Sequence, residues 1–179
     1  MRTLVCYIAC SLDGYIAGPA GEIDWLFTDQ DYGYTEFIST VDTVVMGRKT
    51  YDLSLTFERY PYEGLRGFVF TRGPRNPDDR VTFVSTDFAE FMTELKDSHR
   101  RNIWMVGGGQ LLAEAVTYDL LDELILSIHP VILGDGIPLF PGGLPTRWLR
   151  IPRCEEFTTG LVQIWYGRPG PEPDGSEAA

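Results

Sequence analysis

Short apolar runs alternate with amphipathic segments through most of this chain, and that alternation limits the folds open to it. "TLVCYIAC" (residues 3–10) and "DTVVMG" (42–47) are apolar runs of strand length without polar alternation, the pattern of strands buried on both faces. "RGFVFTRG" (66–73), "RVTFVS" (80–85) and "NIWMV" (102–106) supply three more strands. Helical patterns fill the gaps. "TDQDYGYTEFISTV" (28–41) has Thr28 as a candidate N-cap and Phe37, Ile38 and Val41 on one side. "RKTYDL" (48–53) starts a helical turn. "STDFAEFMTELKDSHR" (85–100) has Thr86 as cap and Phe88, Phe91, Met92 and Leu95 at helical spacing, and "GQLLAEAVTYDL" (109–120) follows the fifth strand. The end is β-rich. "DELILSIHPVIL" (122–133) reads as a long strand with a bulge or bend at Pro130, and residues 148–168 read as an antiparallel hairpin about Thr159-Gly160. Strand–helix alternation followed by strands predicts an α/β fold of three layers, α/β/α, around a mixed sheet. That sheet is mostly parallel with an antiparallel C-terminal hairpin.

The chain has 179 residues, 44% of them hydrophobic, which suits one domain with one sizeable core. That domain is expected over residues 1–168. Residues 169–179, "PGPEPDGSEAA", have the composition of a flexible tail. The net charge of −11 argues against nucleic-acid or anionic-membrane partners. Only Lys49 and Lys96 are lysines; the other basic residues are arginines. Cys6, Cys10 and Cys154 form no CxxC, and His99 and His129 are far apart, so no structural metal site is expected. An odd cysteine count suits a reducing cytoplasm. The apolar start ending at Cys10 is too short for a leader, and no run approaches the roughly 18 apolar residues of a membrane span.

Gly107, Gly108 and Gly109 stand between the strand "IWMV" and the helix "QLLAEAV". Three consecutive glycines are costly to order and need a reason. One is a tight turn with close helix–sheet packing. The other is a ligand phosphate lying against bare backbone at a helix start. A dinucleotide fingerprint needs glycine where Leu112 stands, and a P-loop needs Lys then Ser or Thr where Gln110 and Leu111 stand. Two other strand ends bear on the choice. Gly47, Arg48, Lys49 and Thr50 follow one strand, and Thr71 and Arg72 close another. Guanidinium groups grip phosphate through paired hydrogen bonds. Scarce cations at strand ends beside a glycine-rich helix start favour a phosphate-bearing ligand, and could hold an extra ribose phosphate as in NADP.

"SLDGYIAG", "VVMGRKTY", "FVFTR", "MVGGGQLL" and "PVILGDGIPLF" occur in one order over residues 2–166. Together they resemble the dihydrofolate reductase superfamily. More closely they resemble the reductase domain at the C-terminus of the bifunctional riboflavin-biosynthesis deaminase/reductase. The resemblance implies an NADPH-dependent reductase with a dihydrofolate reductase-like sheet. It implies Ala9, Ile16 and Gly18 around the nicotinamide, and Gly47, Arg48, Lys49 and Thr50 at the phosphates and adenosine ribose. It implies Thr71 and Arg72 at the 2′-phosphate, and Gly107, Gly108, Gly109, Gln110, Leu111 and Leu112 along the pyrophosphate and nicotinamide side. It also implies a homodimer, for which the apolar, edge-like segment 122–133 is the candidate pairing surface.

The hydride acceptor is left open. Asp29 and Asp31 lie near the place of the superfamily's proton-supporting acid, but their register does not match cleanly, and both suit a helix start. Asp13 either caps its own turn before Gly14 or faces the nicotinamide or a polar substrate. Tyr15, Trp25, Phe27, Tyr32 and Tyr34 are either core and lid packing or a stacking surface, with Trp25 and Tyr32 as substrate candidates. Pro138 stands where the superfamily has a threonine before its final "FP", which disfavours folate. A riboflavin-pathway pyrimidine carries a phosphate, and no basic cluster is left for it once Arg48, Lys49 and Arg72 serve the cofactor. The expected activity is hydride transfer from NADPH to a small, heterocyclic substrate. The alternatives are dihydrofolate reduction and NADP binding without turnover.

Overall fold

Strand β1 (Leu4–Ser11) is apolar on both faces, and the fold buries it near the middle of the sheet. Leu4 and Cys6 point into one core while Val5 points into the other. The computed structural model describes residues 1–169; the tail expected to be flexible lies, from residue 170, outside the described residues. The remaining elements are β2 (Tyr15–Ala17), α1 (Tyr34–Thr40), β3 (Val41–Gly47), α2 (Arg48–Ser54), β4 (Arg66–Phe70), β5 (Val81–Val84) and α3 (Phe88–Lys96). They continue with β6 (Asn102–Gly107), α4 (Gly109–Thr117), β7 (Glu123–His129), β8 (Ile137–Pro138), β9 (Arg150–Glu156) and β10 (Val162–Gly167).

Eight strands form one sheet in the order β5-β4-β3-β6-β1-β7-β10-β9, and β2 pairs with β8 in a separate ribbon. The first six of that order are parallel; β10 runs antiparallel to β7, and β9 antiparallel to β10. Helices α3 and α4 cover one face with Phe88, Met92, Leu111, Leu112 and Ala115. Phe37 of α1 and Tyr51 of α2 cover the other, against Val44, Met46 and Trp104. The three-layer mixed sheet expected from the alternation is therefore the fold, and no helix among the described residues is long and apolar enough to cross a membrane.

Buried charge fixes the amino ends of the parallel strands. Arg2, 3% exposed, pairs with Asp42 and donates to Thr43 Oγ1 at 2.7 Å and to the Arg101 carbonyl at 2.6 Å. It so ties the starts of β1, β3 and β6. Lys96, 4% exposed, donates to the Leu120 carbonyl at 2.7 Å and pairs with Asp122, whose carboxylate also accepts from the Leu4 amide at 2.7 Å. Neither cation carries a sequence signal of burial; carboxylates and carbonyls offset the burial of both, although Arg2 Nη1 is left without a partner.

Local details depart from the sequence reading. Helix α1 begins after Gly33, in left-handed conformation at φ 79°, instead of at Thr28. Tyr32 also has positive φ, so residues 28–33 turn before the helix can start. Asp87 caps α3 in place of Thr86, accepting from the Glu90 amide at 3.0 Å. Strand β7 ends at His129, so Pro130 lies beyond it and no bulge is needed. β7 is an interior strand, hydrogen-bonded to β1 and β10, so it is not a free edge on which to rest a dimer. The ribbon of β2 and β8 was not foreseen; at three and two residues the strands are too short to carry a pattern. The hairpin turns at Gly160, φ 85°, as expected.

The glycine run is legible only in the fold. Gly108 follows β6 as the N-cap of α4 at φ 101°, ψ 103°, where a side chain is strained. A Cβ on Gly109 would lie 2.8 Å from the Pro138 carbonyl oxygen and 3.3 Å from that of Leu139. Replacing Gly109 with Ala should therefore push the start of α4 off the 138–141 loop. We expect a loss of about 1–3 kcal/mol in urea unfolding. An unchanged denaturation midpoint would show that this loop yields freely.

Candidate active site

A parallel sheet gathers the carboxyl ends of its strands at one edge, and the phosphate candidates meet there. Gly47 to Thr50 leave β3, Thr71 and Arg72 leave β4, and Gly107 to Leu112 leave β6; β4, β3 and β6 are consecutive neighbours. Gly47 and Gly108 face each other across the β3–β6 pair. A Cβ on Gly108 would find nothing nearer than Thr50 Oγ1 at 3.9 Å and the Gly47 amide nitrogen at 4.0 Å. The backbone above these residues is thus open to a ligand. Gly109, Gln110 and Leu111 form the first turn of α4, whose amides have no partner within the helix. Leu111 and Leu112 are themselves buried in the core, so only their backbone can serve a ligand.

The cations behave less uniformly than expected. Arg72 and Lys49 are exposed. Arg48 pairs with Asp52 at 2.9 Å, and Arg75 pairs with the same carboxylate. Arg75, which the sequence reading passed over in a turn-rich loop, is thereby drawn into the same cluster through one shared carboxylate.

A second region adjoins at the ends of β1 and β7. Ala9, Tyr7, Phe27, Asp31, Ser127 and His129 are among the residues around a cleft of about 450 Å³, with Tyr32, Tyr34 and Trp104 adding aromatic wall. Tyr7 and Tyr34 lie nearly parallel at 6.4 Å between ring centroids, as do Phe27 and Tyr32 at 6.5 Å. Gln163, buried, donates to Ser127 Oγ at 2.8 Å and to Tyr7 Oη at 3.1 Å, while Tyr7 donates to the Tyr32 carbonyl at 3.0 Å. This network holds the wall in place from behind. Burial pushes the Tyr7 and Tyr34 phenols up from their ordinary range.

His129 closes one side and was not singled out in the sequence. It is 3% exposed. Its Nε2 accepts from the Phe27 amide at 3.1 Å, and its Nδ1 lies 3.3 Å from the Ser127 carbonyl. Both partners are satisfied by a neutral ring protonated on Nδ1, and burial lowers its pKa. Trp25 packs edge-on against this imidazole at 5.2 Å and lies outside the cleft lining, as a support and not a contact. Asp29 accepts from Tyr32 Oη at 2.7 Å and also lies outside it. Asp31 is the carboxylate on the cleft, held below its ordinary range by the Thr35 hydroxyl at 2.6 Å and the Thr35 amide at 3.1 Å.

Asp13 joins neither region. It accepts from Ser11 Oγ at 2.6 Å and from the amides of Leu133 and Gly134 at 3.1 and 2.7 Å, which lowers its pKa. It clamps the loop after β7 to the loop after β1. Ile16 packs on the core beside it, and the Gly18 amide donates to the Glu22 carbonyl at 2.9 Å. Pro138 pairs with Tyr15 in the ribbon of β2 and β8.

The RibD C-terminal domain model matches residues 2–163. This chain belongs to that family. It is 40% identical over 172 residues to the uncharacterized protein YwjB of Bacillus subtilis, covering 93% of this chain and 98% of the relative. A dihydrofolate reductase of Mycobacterium tuberculosis is 30% identical over 117 residues, 65% of this chain and 66% of that one. A putative riboflavin biosynthesis protein from Shewanella sp. PV-4 has a solved structure that superposes with a TM-score of 0.84 at 29% identity, covering 94% of this chain and all of the other. Within the RibD C-terminal fold, the residues at the β3, β4 and β6 ends fit a dinucleotide. They offer open glycine backbone, free first-turn amides and a group of cations in an acidic protein.

The His129 clasp has a pH consequence. Its depressed folded pKa favours the folded chain above the unfolded value of about 6.5, and that contribution is lost as pH falls through the lower folded pKa. Protonation would also set Nε2–H against the Phe27 N–H. We expect His129→Gln to lose less stability between pH 7 and pH 5 than the parent protein does, measured by urea unfolding. A parallel loss in both would remove His129 as the cause.

Proposed function

We propose that the chain is an NADPH-dependent reductase of a small heterocyclic substrate. The observation that carries this reading is the adjacency of two unlike surfaces along one sheet edge. Cations and open glycine backbone occupy the ends of β4, β3 and β6; an aromatic cleft follows at β1 and β7. Membership in the RibD C-terminal family supports it, as does similarity to a putative riboflavin biosynthesis protein and to dihydrofolate reductases.

In this reading the Gly107–Gly109 backbone and the first-turn amides of α4 take the diphosphate. Arg72 and Lys49 meet the 2′-phosphate and adenosine ribose, with Arg48 and Arg75 released to phosphate from Asp52. When bound, the cofactor supplies the hydride. Ala9, with its small side chain on β1, leaves room where donor and acceptor must approach. The aromatic wall excludes water from that place. The cleft's own groups are committed elsewhere: Asp31 is held below its ordinary range, the Tyr7 and Tyr34 phenols are shifted upward, the Tyr32 hydroxyl donates to Asp29 and His129 is neutral. The proton therefore comes from water.

Calorimetric titration with NADPH and NADH tests the reading. NADPH should bind more tightly. Arg72→Ala should weaken NADPH about 10- to 100-fold, the worth of a charge-assisted phosphate contact, and leave NADH nearly unchanged. Failure of both nucleotides to bind at millimolar concentration would sink the proposal.

A further inference from the structure

The amino edge of the sheet, opposite the candidate active site, gathers a second group of cations. The length of β3, Val41 to Gly47 or about 20 Å, separates the two edges. Arg2 spends the Nε–Nη2 side of its guanidinium on the Arg101 carbonyl, Asp42, Thr43 Oγ1 and, at 3.4 Å, the Asn102 carbonyl. Its Nη1 is buried and has no partner among the described residues. A buried charged donor left unpaired is costly, so this atom calls for an acceptor. Two exposed arginines flank it. Arg66 starts β4 beside Thr43, its register partner, and its guanidinium lies 4.6 Å over the Phe68 ring. Phe68 shares a core with Leu4, two residues after Arg2, so Arg66 and Arg2 project to the same face. Arg100 precedes Arg101, whose carbonyl holds Arg2 Nε. Burial lowers the Arg2 pKa, Asp42 raises it, and Arg100 and Arg66 lower it again, which marks both as close neighbours. Among the described residues no carboxylate pairs with Arg66 or Arg100, Asp97 at the end of α3 included. Arg101 turns away, to the Ser39 carbonyl at 3.2 Å.

We propose that Arg2, Arg66 and Arg100 form a binding site for a phosphate-type oxyanion at the amino edge of β3, β4 and β6. The site is separate from the carboxyl-end surface and does not depend on the reductase reading. Three guanidinium groups stand against one carboxylate, Asp42, which leaves positive charge for a dianion. Arg2 supplies fixed donors, because Asp42, Thr43 and the Arg101 carbonyl keep its guanidinium from turning. Arg66 and Arg100 supply long exposed arms that move aside to admit the anion and then close on it. Paired guanidinium N–H groups match phosphate oxygens in geometry and charge. Nη1 of Arg2 has no exposed surface of its own, so a compact head group reaches it and a ring does not. Binding also relieves repulsion among three like charges, so it stabilises the folded chain.

The test uses the full chain and follows the Arg2 Nε–H signal by proton–nitrogen NMR. Inorganic phosphate replaces chloride at constant ionic strength and neutral pH. The signal should shift saturably, with a dissociation constant in the millimolar range. Arg66→Gln combined with Arg100→Gln should weaken phosphate at least about tenfold, the loss expected for charge-assisted hydrogen bonds. Both positions are exposed, so the double variant should unfold in urea as the parent does in chloride. Arg72→Ala, at the other edge, should leave the phosphate midpoint unchanged. Glycerol phosphate separates the sources of the anion. Binding like that of inorganic phosphate assigns the head group of a phosphomonoester; its exclusion assigns the free ion. No saturable shift, an unchanged midpoint in the double variant, or an equal loss in Arg72→Ala would overturn the proposal. The parent titration and its indifference to Arg72→Ala do not depend on the double variant's folding.

Discussion

Everything at this site depends on strands that run parallel. Parallel pairing puts the carboxyl ends of β4, β3, β6, β1 and β7 along one edge, and each end hands the chain to a loop or helix there. The price is paid at the opposite edge. There Arg2 and Lys96 are buried, each paired with a carboxylate and donating to a backbone carbonyl, while Nη1 of Arg2 finds no partner. Buried ion pairs contribute little net stability, but they are hard to satisfy in any other register. The register of β1 against β3 and β6 is what Arg2 holds, and the facing of Gly47 and Gly108 follows from that register.

The three glycines have separate causes. Gly108 takes a backbone conformation that side chains avoid. Gly109 admits the carbonyls of Pro138 and Leu139 against the helix start. A Cβ on Gly107 would lie 3.6 Å from Ile8 Cδ1, an ordinary contact, so it is the backbone at φ 154° that disfavours a side chain there. The tight-turn and ligand explanations therefore do not compete. The turn explains why glycine is needed at 108 and 109, and the open space above Gly108 is what the turn leaves for a ligand.

Much of the fold was legible because strand burial writes itself as uninterrupted apolar runs. β1, β3 and β6 were read within a residue or two, as was the hairpin at Gly160, and the helix after the glycines was read from its first residue but three residues too long. The placement of the scarce cations at strand ends was legible too, and the sheet order sets those ends side by side. The cleft was not. Ser127 and His129 lie in an apolar strand that gives no hint of which end faces a cavity, and Gln163 reaches Tyr7 across 156 residues. Asp29 and Asp31 could not be told apart by spacing, because the turn through Tyr32 and Gly33, both at positive φ, decides which carboxylate faces inward. Arg75 was hidden by its loop, where sequence carries no periodicity to place it.

The two halves of the site divide charge between them. Cations gather on the β4 and β3 ends; the cleft at the β1 and β7 ends is lined by one carboxylate, Asp31, and a neutral imidazole. Between them stands β6, whose last residues are glycines without charge. Asp52 pairs with both Arg48 and Arg75 after β3, and Thr35 donates to Asp31 ahead of α1. The two halves therefore differ in charge. The sheet order alone, β4-β3-β6-β1-β7, brings the two together without neutralising either.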